Sequence, residues 1–450
     1  MKKIFQYIIL AVVTIVMASC TSDIEETTAT TGKSNVQLVV GEFPAFGDSQ
    51  TRAIGTPDEG KTSWAEGDEL LLEIDNTSYG KQYATFTYNG KSWELTSGEL
   101  VYREGDPAYI PHVYYAPNYK WEAGKLVLKE GKDPGTDEYI EGNARISGNG
   151  EDINVSFAEA TRNYSRLRIA TMPNKPITVD INYFTPAGSS DMKWDQNYAL
   201  TSDEKGNAYL YGTFENNSEV TVKYREATLA THTFLQKTEN AMSYALDATV
   251  ISVNSAEEIK SAIEQKVADG KTAIRLNLAP NAGTDEFMAI REAIKGAAPN
   301  DEGTIELTII GVETIPKEAF YKMLQLKSVR MSDVKEIKKY AFKECQYLTV
   351  VEAPSLNKLN SGAFNKCNLL SKLTFGPINY ADERNWPIFE YITPNIDLIL
   401  SDYQKEMIET DSYLYTANND RDYAGSDEHN SKNFLGREFK SITCRYKVEY

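Results

Sequence analysis

From Val36 onward, apolar and polar residues alternate in short runs. Val36, Leu38 and Val40 fall on one side of such a run, as do Leu70, Leu72 and Ile74, and then Ala84, Phe86 and Tyr88. A period of two is what a half-buried β-strand requires, because successive side chains point to opposite faces. Asn89-Gly90, between Tyr88 and the returning Trp93 and Leu95, predicts a tight hairpin whose two central residues both need positive φ. Further strands are expected at Tyr109–Tyr115, Leu126–Leu128, Ile153–Phe157, Leu167–Ala170, Ile177–Ile181, Tyr209–Tyr211, Val220–Tyr224 and Thr233–Leu235. No helix-period stretch interrupts them. The segment therefore predicts two β-sandwiches, over 36–150 and 151–250, divided at Gly148-Asn149-Gly150.

The pattern changes at Asn254. Ser255 with Glu258 three residues on forms a capping box, and Ile259, Ile263 and Val267 follow on one helical face, closed by Asp269-Gly270. A strand is expected at Ile274–Leu278. A second helix follows at Thr284–Lys295 with Phe287, Ile290 and Ile294 inward, then a strand at Ile305–Ile310. From there the sequence repeats every 22 residues without gaps. Ile315, Ile337 and Leu359 align, as do the pairs Ala319-Phe320, Ala341-Phe342 and Ala363-Phe364, and the slot Met323, Cys345 and Cys367. Leu326, Leu348 and Leu370 match, followed by Val329, Val351 and Leu373, then Met331, Ala353 and Phe375. L-x-x-L-x-L on such a period is a leucine-rich repeat, a solenoid whose coils bury one another's apolar edges. The Ala-Phe pair and the cysteine slot resemble the BspA-like class found on bacterial and protozoan surfaces. Residues 254–311 are expected to cap one end of this module, and the irregular end of 312–450, with a strand at Ile396–Leu400, the other.

The first twenty residues stand apart. Lys2 and Lys3 precede an apolar run from Ile4 to Met17, then Ala18-Ser19-Cys20, after which the chain turns polar through Asp23, Glu25 and Glu26. Such a charged start and short apolar run predict a secretory signal, too short for a bilayer span of about 20 residues. Cys20 at the expected cut resembles a bacterial lipobox. That resemblance implies acylation of Cys20 as an outer-membrane lipid anchor, with 21–35 as a polar linker and the acids marking export to the cell surface. The rest of the 450 residues suggests about three domains.

Charge and rare residues narrow the chemistry. A net charge of −18 disfavours nucleic acid as a partner. Three histidines and four cysteines leave little material for metal or nucleophilic sites, so no cofactor, metal or catalytic residue is expected. Within the repeats, Glu313 to Phe375 carry eleven Lys or Arg against six acids, a net of +5 that leaves −23 elsewhere. Two motifs are set aside. Gly55 to Thr62 fits G-x-x-x-x-G-K-T, yet polar residues precede it and Trp64 to Asp68 lead to a strand, so the strand-to-helix context that aims N–H groups at phosphate is missing. Asp420 to Gly425 begins like a calcium loop, but Ala424 and Ser431 stand where ligands belong.

Thr51-Arg52-Ala53, then Trp64-Ala65-Glu66-Gly67-Asp68-Glu69-Leu70, then Ser156-Phe157 and Ser165-Arg166-Leu167-Arg168-Ile169, are similar to the fimbrillins of Bacteroides-type fimbriae. The resemblance covers roughly half the chain and rests on the order of features. It implies two all-β, transthyretin-like sandwiches ahead of the α/β-capped solenoid. It also implies proteolysis between Arg52 and Ala53 that removes Val36–Val40 and opens a groove for a strand from another fimbrial subunit. A plain surface arginine fits Arg52 equally.

On the solenoid, residues between the apolar strand positions face outward, stacking Glu306/Thr308, Ser328/Arg330, Val350/Glu352 and Lys372/Thr374 as candidate ligand-binding residues. Lysines that only solvate the convex face are the competing account of the basic charge. Cys345 and Cys367 are expected as buried filling with free thiols, although coil spacing permits a disulfide. The function expected is adhesion to, or recognition of, a host or bacterial surface protein or glycan, as a fimbrial tip, anchor or stand-alone protein. A structural minor subunit is the alternative. A glycan-processing enzyme would instead need a paired-carboxylate cleft.

Overall fold

The computed structural model describes residues 37–44, 46, 60–101, 108–146, 152–157, 162–382, 387–402, 404, 433–435 and 437–446. Over these residues the chain is β-rich and multidomain, with two helices. The first sheet has seven strands, in the order Gln37–Val40, Asp152–Ser156, Ile140–Ile146, Ala108–Tyr115, Glu69–Asn76, Gly80–Tyr88 and Trp93–Gly98. Its two outer strands approach each other, so the sheet curls around Leu70, Leu72, Ile74, Phe86, Val113 and Ile153. Gln37–Val40 runs parallel to Asp152–Ser156 and sends Leu38 into this core.

The structure departs from three of the expectations. The division at Gly148-Asn149-Gly150 fails because Asp152–Ser156 pairs with both Ile140–Ile146 and Gln37–Val40, burying Ile153 and Val155 in the first core. The first β-domain thus continues through Ser156. Asn89-Gly90 is not a two-residue turn. Tyr88 pairs with Trp93 across four residues, only Gly90 of the two has positive φ, and the Asn89 side chain accepts from the amides of Lys91 and Ser92. The strand expected at Thr233–Leu235 is instead Ala227–Thr233, with Leu235 79% exposed, and Ser243–Asp247 follows it as the last strand of the second β-domain.

The second sheet runs Ala227–Thr233, Glu219–Tyr224, Pro176–Pro186, Asn207–Phe214, Ser165–Ala170 and Ser243–Asp247, with Lys193–Thr201 beside Pro176–Pro186. Pro176–Pro186 changes partners along its length. Up to Ile181 it pairs with Glu219–Tyr224, and beyond Tyr183, whose φ is 49°, it pairs with Asn207–Phe214. That bend lets one strand pair with two successive neighbours in the same sheet.

A polar clasp joins the two β-domains. Arg162 is buried and forks onto Glu138 at 3.2 and 3.1 Å, while Tyr164 donates to the same carboxylate at 2.6 Å. Arg162 also donates to the Pro44 carbonyl at 2.5 Å and lies 4.1 Å over the Phe46 ring. Fully desolvated charges persist only when paired and hydrogen-bonded, which this group satisfies.

The C-terminal part is built by translation. Eight parallel strands lie in the order Ile251–Val253, Ala273–Leu278, Ile305–Ile310, Leu326–Met331, Val350–Ala353, Lys372–Phe375, Asp397–Ser401 and Ser441–Tyr446. Four short parallel strands, Thr314–Ile315, Glu336–Ile337, Lys358–Leu359 and Tyr380–Ala381, form a second side. Helix α1 (Ala256–Ala268) is capped as expected: Ser255 accepts from the Glu258 amide, and the Glu258 carboxylate accepts from the Asn254 amide. Helix α2 (Thr284–Ala297) buries Phe287, Ile290 and Ile294.

Inside the coils, Phe320, Phe342 and Phe364 stack at 5.2 and 5.4 Å, nearly parallel, and Phe389 continues the stack at 5.7 Å. Phe287 of α2 and Phe439 close the two ends edge-on. Such pairs are worth about 0.5–1.5 kcal/mol each beyond the area they bury. Cys345 and Cys367 are buried free thiols, donating to the carbonyls of Phe320 and Phe342 at 2.9 and 3.0 Å.

Candidate functional site

Parallel pairing brings the outward residues of the long strands into two files. Glu306 lies beside Ser328, Ser328 beside Val350 and Val350 beside Lys372. Thr308, Arg330, Glu352 and Thr374 form the second file. The register inferred from the 22-residue period is therefore the one observed. Arg275 joins the upstream end of the second file, beside Thr308.

The files are not open throughout, contrary to expectation. Strand Ala227–Thr233 of the second β-domain packs on Leu326–Met331 and Val350–Ala353. The Thr228 amide donates to the Glu352 carboxylate at 3.0 Å, and Arg275 donates to the Leu229 carbonyl at 2.6 Å. Arg225 pairs with Asp333, whose carboxylate also accepts from the Gly311 amide. Thr308, Ser328 and Glu352 are consequently buried, and Arg330 is held between Glu306 at 3.3 Å and Glu352 at 3.6 Å. Lys372 stays exposed, while Glu306, Val350 and Thr374 are half-buried. The covering hairpin turns through Arg225 and Glu226, both at positive φ. Neither is Gly, Asn or Asp, so the turn had no signature in sequence and costs backbone strain of roughly 1–2 kcal/mol per residue.

Electrostatics at the files follow from this packing. Burial pushes the Glu306 carboxyl up, but the hydrogen bond from Lys327 and the Arg330 charge outweigh it and hold the group below its ordinary value. Burial, reinforced by Arg330, lowers Arg275 against the pull of Asp247.

The other sequence candidates lie as follows. Cys20, Arg52 and Ala53 fall outside the described residues, as does Asp420 to Gly425. Lys61 of the phosphate-loop look-alike pairs with Asp68 at 2.7 Å and lies over the Phe43 and Tyr115 rings, and a strand follows it. A cleft of about 410 Å³ between the two β-domains, lined by Asp133, Asp137, Asp203, Tyr209 and Tyr211 among others, had no sequence signal. Its lining is brought together from segments far apart in the chain, 118–137 and 199–211. Burial raises Asp137 above its ordinary value, against the hydrogen bond that its carboxylate accepts from the Glu138 amide.

Residues 310–408 match the family of the BspA type leucine rich repeat region, in six copies. Two solved structures show a weak overall likeness. One is a "putative cell adhesion protein" of Bacteroides fragilis, 11% identical over 48% of this chain and 93% of that one, with a TM-score of 0.27. The other is the minor pilin of Streptococcus agalactiae, 8% identical over 48% of this chain and 94% of that one, with a TM-score of 0.16. A comparison with curated proteins finds no match.

Proposed function

We propose that this chain is a non-catalytic recognition protein displayed on the bacterial cell surface, with its leucine-rich repeat solenoid as the binding module. The observation that carries the reading is the repeat architecture itself. BspA-type repeats over 310–408 hold equivalent residues in register from coil to coil, and the stacked sides of such a coil are what solenoids use to bind. Adhesion is the activity this supports best. In the same reading, the two β-domains are transthyretin-like and carry the module away from an anchor at Cys20. Cleavage between Arg52 and Ala53 would release Gln37–Val40, an edge strand with one sheet neighbour, and expose Asp152–Ser156 to a donor strand.

The test is display. Protease shaving of intact cells should remove the repeats, and Cys20→Ala should shift the protein from the membrane fraction to the periplasm or medium. A wild-type chain protected from the protease and free of lipid would overturn the proposal. N-terminal sequencing of surface-assembled protein should find Ala53; a start at Cys20 alone would mean display without polymerisation.

A further inference from the structure

The coils have a third side, formed by the turns that lead from each short strand back to the next long one. Two slots on this side take positive φ in three successive coils: Glu318, Tyr340 and Gly362 at 57–63°, and Lys322, Glu344 and Lys366 at 57–63°. Only one of the six is glycine, the residue that adopts this conformation without cost. Side chains are thus retained where the backbone disfavours them. Strained positions of this kind cluster at functional surfaces.

Two of these side chains, Tyr340 and Lys322, belong to a cation–aromatic array with their neighbours Tyr321, Lys339 and Lys343. Tyr340 lies between Lys339 at 4.8 Å and Lys343 at 4.7 Å, and Tyr321 of the preceding coil lies between Lys322 at 5.1 Å and Lys343 at 5.9 Å. Both carboxylates of these slots are already matched, Glu344 by Lys322 at 3.5 Å and Lys366 at 3.8 Å, and Glu318 by Lys317 at 3.3 Å. Lys322 and Lys366 are exposed. The repeats carry +5 on a chain of −18, which focuses a positive field on this module.

We infer that this lysine–tyrosine side is the docking surface for a sulfated polysaccharide. The inference rests on the recognition reading and names its ligand class. The cations are spread over three successive coils, Lys322 on one, Lys339 and Lys343 on the next and Lys366 on the third; with coils ~4.8 Å apart, that spread fits a polymer with repeated charges better than a compact anion. Acidic polypeptides and polyuronates present planar carboxylates, for which guanidinium forks are the matching donors. Every cation in the array is a lysine, a point charge without that fork, which suits an anion of no fixed planar geometry. The tyrosine rings add amphipathic faces on which a sugar ring can rest.

The experiment measures binding of the purified full chain to immobilised dextran sulfate, with polygalacturonate, polyglutamate and single-stranded DNA as competitors. The wild type should bind dextran sulfate most tightly, and less so as salt rises. Lys339→Glu with Lys343→Glu should weaken binding on the order of tenfold. Lys339→Arg with Lys343→Arg should retain it, and Lys260→Glu, on the exposed face of helix α1, should leave it unchanged. Unaltered circular dichroism and melting would show that the charge-reversed protein is folded. Preference for any competitor, equal binding by the charge-reversed protein, or loss in Lys260→Glu overturns the proposal. Failure of cell-surface display with dextran sulfate binding intact would instead overturn the recognition reading alone.

Discussion

The repeats and the two β-domains bury their apolar residues in opposite ways. In the repeats, each core side chain touches its own counterpart one coil away: Phe320 on Phe342 on Phe364, and Ile315 beside Ile337 beside Leu359. In the β-domains, partners come from far along the chain, as Gln37–Val40 beside Asp152–Ser156 or Ser165–Ala170 beside Ser243–Asp247. A translational core carries damage along its axis through nearest neighbours, whereas closed cores confine it. The comparison also bears on function. A module whose sides are set by repetition can bind along a file, while the β-domains supply single contacts such as the Arg225 hairpin that fix the module in place.

The largest effect expected is on the stack. Phe342→Ala should cost about 3–5 kcal/mol, and hydrogen exchange should quicken from Ile305–Ile310 to Asp397–Ser401 while the first sheet is unchanged. Spread into the first sheet would break the comparison. Arg162→Ala comes next, at about 3 kcal/mol, because it strands Glu138 without its buried partner. Calorimetry should then resolve separate melting of the first and second β-domains, and a single unchanged transition would contradict the clasp.

The pH dependence should have opposite signs in the two regions. Asp137, raised in the fold, contributes stability below its ordinary value that is lost as pH rises through the folded one. Asp137→Asn should therefore stabilise at neutral pH. Glu306, lowered in the fold, contributes stability present above its ordinary value and lost as pH falls through the folded one, so Glu306→Gln should destabilise at neutral pH. Urea melts at several pH values would check both signs. The smallest signal is chemical. Burial raises Cys345 to about 12 and Cys367 also well above its ordinary value, so iodoacetamide should label neither in the native chain and both in urea, read by mass spectrometry.

This contrast also explains what could be read from sequence. The coils, their register and the first helix cap were legible because each structural slot recurs as a residue class every 22 positions or obeys a local capping rule. In the β-domains most strands were legible as alternation, but not their pairing, which no local pattern encodes. Ile140–Ile146 went unseen because Gly142 interrupts it, yet a Cβ there would lie 2.7 Å from the Phe157 ring. Lys193–Thr201 is too polar to announce itself, being an edge strand. The candidate files were legible as geometry, but their cover was not, since Thr228 and Leu229 reach Glu352 and Arg275 only through domain docking. The lysine–tyrosine side was foreseen as basic charge, without its left-handed slots.

The central claim is that recognition belongs to the sides of the coils that the second β-domain leaves uncovered. Hydrogen exchange of the full chain, with and without dextran sulfate, tests it most directly. The account predicts slowed exchange in peptides spanning 317–323 and 338–345 and no change across Leu326–Met331, Val350–Ala353 and Ala227–Thr233. Slowing confined to those long strands, or to the β-domains, would contradict it.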